Sequence, residues 1–142
     1  MRIIYVEGLC LLLLIASIED IRHQRINPYW LLLHACFVVV VRLILGEFLT
    51  GLAGVSIGLL LLGAAFVSRQ KVGYGDGLVF MVCGLYLGFW ENFSLLFMSL
   101  VLCALGGLFL MLIGKIKKGQ TLPFIPFVMA AFACAMVFEA VG

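Results

Sequence analysis

Charge is scarce in this sequence, and its scarcity excludes the commonest class of protein. Only 11% of the 142 residues are charged, whereas 65% are hydrophobic and the mean hydropathy is +1.28. A soluble domain needs about a quarter charged residues to cover its surface. The net charge of +2 is also too small to indicate a nucleic-acid partner. The sequence therefore predicts an integral membrane protein whose surroundings are a lipid bilayer.

Paired cysteines are lacking as well. The five cysteines all lie in apolar runs, none has CxxC spacing, and their number is odd. Neither a disulfide framework nor a zinc site is supported by such a pattern, so we expect small side chains packed between helices. Linkers and low-complexity stretches are absent too, which predicts a single membrane-embedded domain over residues 1–142.

Apolar runs recur along the whole sequence, and a membrane-spanning helix needs about 20 such residues. We therefore predict an all-α, polytopic fold of about six transmembrane helices. The first run lacks a small-x-small cleavage site at its end, so it is interpreted as a retained span. Gly54 and Gly58, with small-xxx-small spacing, predict a close helix contact. The predicted spans cover about residues 3–18, 29–41, 48–67, 77–89, 93–113 and 122–141.

Basic residues predict the orientation of these spans. Seven of the nine fall in the loops after the first, third and fifth spans, and only Arg2 and Arg42 lie on the other side. By the positive-inside rule the three basic loops are cytoplasmic and both termini are outside. The seven are Arg22, Arg25, Arg69, Lys71, Lys115, Lys117 and Lys118.

Two acids reach the cytoplasmic end of this arrangement. Asp76 follows Gly73-Tyr74-Gly75 and opens the fourth span, where a carboxylate costs on the order of a few kcal/mol unless it has a partner or a function. Asp20 follows the first span. Because the first span runs inward and the fourth runs outward, both acids are expected at the same depth.

Facing carboxylates suit one reaction in particular. The two groups cannot both ionise easily, so the pair tends to share a single proton. The ionised acid can then take a proton from water while the other polarises a carbonyl, as in aspartic proteases, without metal or cofactor. Simpler interpretations are that Arg22 neutralises Asp20 in a loop, that Asp76 caps the fourth helix, and that the glycines only form a turn.

Three stretches together resemble the type IV prepilin peptidases, membrane aspartic proteases of the Gly-x-Gly-Asp group. Asp20 to Pro28 resembles the loop of the family's first aspartate, and Gly73 to Asp76 matches the motif of the second. Leu122 to Phe127 (Leu-Pro-Phe-Ile-Pro-Phe) resembles the entry to the family's last span. The order of the motifs and the six-span layout agree over nearly the whole chain.

The resemblance implies that Asp20 and Asp76 are the catalytic pair of an aspartic endopeptidase. It implies cleavage of the short basic leader of prepilins or pseudopilins, just before their hydrophobic segment and on the cytoplasmic side. The location implied is the inner (plasma) membrane of a prokaryote, with pilus assembly components as possible partners. No metal or cofactor is implied.

Three departures from the family pattern matter. The chain starts at the first span, without the cysteine-containing N-terminal domain of many members, so N-methyltransferase activity is not expected. Leu78 occupies a position where lysine is frequent, and Asn27-Pro28 reverses the usual order. Two alternatives therefore stay open: a catalytically impaired relative that acts as an assembly scaffold, and a small proton-coupled transporter. The transporter predicts acids near mid-membrane and an inverted repeat.

Overall fold

The computed structural model describes residues 2–68, 73–115 and 122–142, with side chains from Tyr5 onward. All regular structure in these residues is helical, which confirms the predicted all-α polytopic membrane protein. The helices Pro28–Leu45, Phe48–Val67 and Phe89–Leu112 are long and apolar enough to cross a membrane, and Tyr74–Leu87 and Ile125–Val141 are shorter apolar helices. The elements are α1 Arg2–His23, α2 Pro28–Leu45, α3 Phe48–Val67, α4 Tyr74–Leu87, α5 Phe89–Leu112 and α6 Ile125–Val141.

Several helices extend beyond the predicted apolar spans. Helix α1 continues past Ile18 to His23, α2 continues past Val41 to Leu45, and α5 begins at Phe89 instead of Phe93. Hydropathy detects only the apolar part of each helix. Arg42 and Asn92, which lie just outside the predicted spans, stay helical because the bundle supplies hydrogen-bond partners for them.

Arg42 is the clearest correction. The sequence placed it in an outer turn, but it lies inside α2, is only 5% exposed and faces the end of α4. Its guanidinium donates to the carbonyl oxygens of Leu85 and Tyr86, and also to the Thr50 hydroxyl. These contacts join α2 to α4 and to the start of α3, so Arg42 is a buried structural residue.

Helices α3 and α4 make the closest packing in the bundle. A Cβ atom at Gly54 would collide with the backbone of Gly84, and one at Gly58 would collide with the backbone of Met81. The predicted close contact at Gly54 and Gly58 is thus confirmed, with α4 as the partner. The buried Asn92 amide of α5 donates to the Gly54 carbonyl at 3.1 Å, which adds α5 to this layer.

Helix α1 packs antiparallel to α4. Near its start, Gly8 lies against the Tyr86 ring at the end of α4, and the Tyr86 hydroxyl is 3.1 Å from His34 Nδ1 of α2. Near its end, Asp20 reaches the start of α6 at Ile125. The ends of α1, α4 and α6 that carry the sequence motifs therefore meet at one end of the bundle.

Candidate active site

Asp20 lies in the last turns of α1, not in the loop where the sequence placed it. The residue is 8% exposed, and its Oδ2 accepts a hydrogen bond from the Ile125 backbone N–H at 3.1 Å. The first N–H groups of a helix have no intrahelical partner, and Phe124, the N-cap of α6, makes no side-chain cap bond. Asp20 thus supplies a cap for α6 from another helix. Arg22 is exposed on a different face of α1, so it does not neutralise this buried carboxylate.

Asp76 lies in the first turn of α4. The N-cap of that helix is Gly73, without a side-chain cap bond, so the expectation that Asp76 is the cap is wrong. A Cβ at Gly73 would lie 3.0 Å from Asp76 Oδ2, and a Cβ at Gly75 would lie 3.0 Å from Ile26 Cδ1. The two glycines therefore leave room for the acid itself and for the chain that follows α1.

The structure brings the two predicted acids together. The Asp20 carboxylate lies within electrostatic reach of Asp76, although the two are on separate helices. Ile26, just after α1, contacts Gly75 beside Asp76, which independently places these two segments side by side. Two carboxyl groups that interact electrostatically cannot both ionise easily, which favours a state with one proton between them. Asp76 also acts electrostatically on Cys103, so α5 borders the site.

The chain between α1 and α2 is held by a carboxylate to which the sequence assigned no role. Glu19 Oε2 accepts a hydrogen bond from the Asn27 N–H at 2.9 Å. Asn27 is the N-cap of α2, and its side chain accepts from the Tyr29 N–H at 3.1 Å, with Pro28 in the first turn. An N-cap asparagine followed by proline is a regular helix start. The Asn27-Pro28 order is therefore explained by local structure. The same two residues could have been used to predict from the sequence that α2 begins at Pro28.

The third motif, Leu122 to Phe127, also borders the site. The Phe127 ring occupies the space beside Gly106 of α5, and Phe124 stacks on Phe80 of α4 with ring centroids 6.2 Å apart. These contacts fix the start of α6, whose N–H group holds Asp20. All three motifs that suggested the family thus meet around the two acids.

Basic residues flank this end of the molecule. Arg22, Arg25 and Lys115 are exposed here, whereas Arg69, Lys71, Lys117 and Lys118 lie outside the described residues. Leu78, in the position where lysine is frequent, is 37% exposed. Across residues 2–68, 73–115 and 122–142, the structure contains no group of three or more His, Cys, Asp or Glu side chains arranged to hold a metal ion.

A separate cavity lies elsewhere in the described part of the molecule. Its volume is about 520 Å³, and its lining includes Tyr5, Arg42, Tyr86, Trp90 and Glu139. These residues belong to the start of α1, the ends of α2, α4 and α6, and the start of α5. The cavity is therefore at the opposite end of the bundle from Asp20 and Asp76, and the candidate site rests on the acids and their surroundings.

Comparison with known proteins agrees with the geometry. The model of the type IV leader peptidase family matches residues 8–111, a range that contains both acids. The chain belongs to this family. It is 33% identical over 130 residues to a prepilin leader peptidase/N-methyltransferase of Bacillus subtilis. That alignment covers 89% of this chain but 52% of the relative, so this leader peptidase family member spans about half the relative's length. No solved structure matches it significantly.

Proposed function

We propose that this chain is a membrane aspartic endopeptidase that removes the leader of type IV prepilin or pseudopilin-like precursors at the cytoplasmic membrane face. A water molecule activated between Asp20 and Asp76 is the nucleophile. The observation that carries the proposal is the meeting of these two acids, from separate helices, at one end of a leader peptidase family fold. Membership of the family makes a leader peptide the expected substrate.

The two acids have different surroundings, which suggests different roles. Asp20 accepts the Ile125 N–H and lies at the positive end of the α6 dipole, and both interactions favour the ionised carboxylate. The shared proton then resides on Asp76. In the proposed mechanism Asp20 takes a proton from water, and protonated Asp76 donates a hydrogen bond to the scissile carbonyl.

The location of the pair at a helix end suits this reaction. Water can reach an acid at the membrane boundary, whereas the hydrophobic helix of a precursor remains in the bilayer. The exposed Arg22, Arg25 and Lys115 at the same end favour a cytoplasmic position by the positive-inside rule. The acids lie at one end of the bundle and not at its middle, which speaks against the proton-coupled transporter.

The test is co-expression with a precursor from the same genome that carries a short basic leader before an apolar helix. Asp20→Asn and Asp76→Asn remove one ionisable group each while keeping the size of the side chain. Glu7→Gln is the matched control, because Glu7 is an exposed acid near the other end of α1. We expect a leader-sized mobility shift with the parent and with Glu7→Gln, and no shift with either aspartate variant.

The outcomes separate the hypotheses. If a confirmed substrate is cleaved normally by both aspartate variants, the catalytic pair is wrong. If the parent cleaves no cognate precursor yet pilus assembly requires the chain, the scaffold alternative is supported instead.

A further inference from the structure

Ser17 is a buried polar side chain that the proposed mechanism does not use. It is 7% exposed, and its hydroxyl has no hydrogen-bond partner among the described residues. A buried hydroxyl without a partner costs about 1–3 kcal/mol, so such groups are usually satisfied by protein or by bound water.

Other serine hydroxyls in this bundle donate a hydrogen bond to a backbone carbonyl of their own helix. Ser56 donates to the Ala53 carbonyl, and the fully buried Ser99 donates to the Leu95 carbonyl, each within its own helix. Ser17 lies in the middle of α1, where a carbonyl three or four residues earlier is equally available. Its hydroxyl is buried yet does not donate to such a carbonyl.

The position of Ser17 relates it to Asp20. The two residues are three apart on α1, so they share one face of the helix. Side chains on a helix lean toward its N-terminus, which directs the Asp20 carboxylate back over the turn that carries Ser17. Leu13 and Ala16 of the same stripe are buried as well, so this face is turned to the bundle interior.

The Asp20 carboxylate has capacity for a donor beyond those of α6. Its Oδ2 accepts the Ile125 N–H at 3.1 Å, and the Phe124 backbone also interacts with the carboxylate, but the two oxygens of an ionised carboxylate together accept about four hydrogen bonds. The Ser17 hydroxyl does not contact it directly, but one water molecule between the two groups would satisfy both.

We infer that Ser17 is a positioning residue of the acid pair, whose hydroxyl holds a water molecule against the Asp20 carboxylate, beside the donors that α6 supplies. This inference rests on the proposed function. The added donor stabilises the Asp20 carboxylate and fixes its plane relative to Asp76. The other charged or titratable groups near Asp20 are Asp76 of α4 and Glu19, Arg22 and His23 of its own helix, while α6 contributes the backbone of Phe124 and Ile125.

The experiment measures Asp20 directly, without needing a substrate. The full chain in detergent is treated with dicyclohexylcarbodiimide, which labels protonated carboxyl groups, and Asp20 labelling is followed by mass spectrometry across pH. Removing a donor to the carboxylate favours its protonated form. We therefore expect Ser17→Ala to move half-labelling upward by about one pH unit. Ser17→Cys keeps the side-chain volume with only a weak donor and should move it in the same direction. Ser17→Thr, which retains a hydroxyl, should restore the parent midpoint.

Ser99→Ala is the matched control, because it removes an equally buried hydroxyl that is satisfied within its own helix. Its labelling midpoint should equal that of the parent. In the cleavage assay, Ser17→Ala should lower kcat about tenfold with little change in KM, since the hydrogen bond acts on a charged group.

A labelling midpoint of Ser17→Ala equal to that of the parent overturns the inference. A shifted midpoint in a protein that cleaves no precursor supports the water-mediated link between Ser17 and Asp20 and refutes only the proposed function. The two failures are therefore distinguishable.

Discussion

At the scale of single residues, Asp20 both stabilises a helix start and lies near the second predicted catalytic acid. Its Oδ2 caps the start of α6, and its carboxylate lies within electrostatic reach of Asp76. A buried acid of this kind can be retained for stability alone, so loss of activity in a variant does not by itself prove catalysis. The choice of substitution separates the two contributions.

Asp20→Asn should fold like the parent, because an amide oxygen can still accept the Ile125 N–H. Asp20→Ala leaves that donor without its partner and should lower the free energy of unfolding by about 1–2 kcal/mol. Thermal unfolding in detergent measures the difference, while both variants should lack cleavage. Equal destabilisation by Asn and Ala would contradict the cap described for α6.

The acid pair also predicts the pH dependence of cleavage. The reaction needs one ionised and one protonated carboxyl group, so the rate should be bell-shaped. At low pH both groups hold protons and no base remains, whereas at high pH both are ionised and nothing donates to the carbonyl. Measuring kcat/KM from pH 4 to pH 10, with a detergent-solubilised precursor, tests this expectation. A rate that stays flat across the range would contradict a shared proton.

At the scale of helices, the close packing of α3 on α4 makes a matched pair of glycine substitutions informative. Gly54→Ala places a methyl group against the Gly84 backbone and should destabilise the protein by about 3 kcal/mol, since overpacking here meets backbone and not a flexible side chain. Gly63 lies on the same helix with no atom within 4 Å of an added Cβ. Gly63→Ala should be neutral or stabilising by about 0.5–1 kcal/mol. Thermal unfolding of both variants checks the prediction, which fails if they behave alike.

Helix ends were the part of the fold that the sequence predicted least well. Arg42 and Asn92 were expected in outer turns, yet both are buried inside helices. Their partners are carbonyl oxygens of Gly54, Leu85 and Tyr86, which are distant in sequence. A hydropathy pattern contains no information about such contacts, so it ends a helix wherever a polar residue appears.

At the scale of the whole molecule, the number of helices and the common end of the bundle at which the two acids lie were predictable. Both follow from the alternation of span direction, which depends only on counting apolar runs. The partners of Asp20 were not predictable, because the Ile125 N–H lies 105 positions away. The spaces that Gly73 and Gly75 leave open likewise depend on where the carboxylate and Ile26 come to lie.

The predicted orientation is sharpened by the correction at Arg42. Because this residue is buried against α4, it no longer counts as a basic loop residue on the outer side, and Arg2 alone remains there. We therefore expect a reporter enzyme that is active only outside the cytoplasm to be active when fused after Gly142. A fluorescent protein that folds only in the cytoplasm should be dark at the same position. The reverse pattern would place Asp20 and Asp76 on the wrong side of the membrane for the proposed reaction.

The glycine contacts between α3 and α4 also bear on how a precursor could enter. Two backbones in direct contact cannot rotate or slide past one another without collision, and Asn92 of α5 adds a further tie to this layer. Admission of a substrate helix is therefore expected on the opposite flank, where α1 and α6 are joined near the site by the Asp20 hydrogen bond. Amide hydrogen exchange should accordingly be slower in α3 and α4 than at the ends of α1 and α6 that carry Asp20 and Ile125. We therefore expect α3 and α4 to stay fixed while the flank of α1 and α6 that carries Asp20 moves to admit the substrate helix.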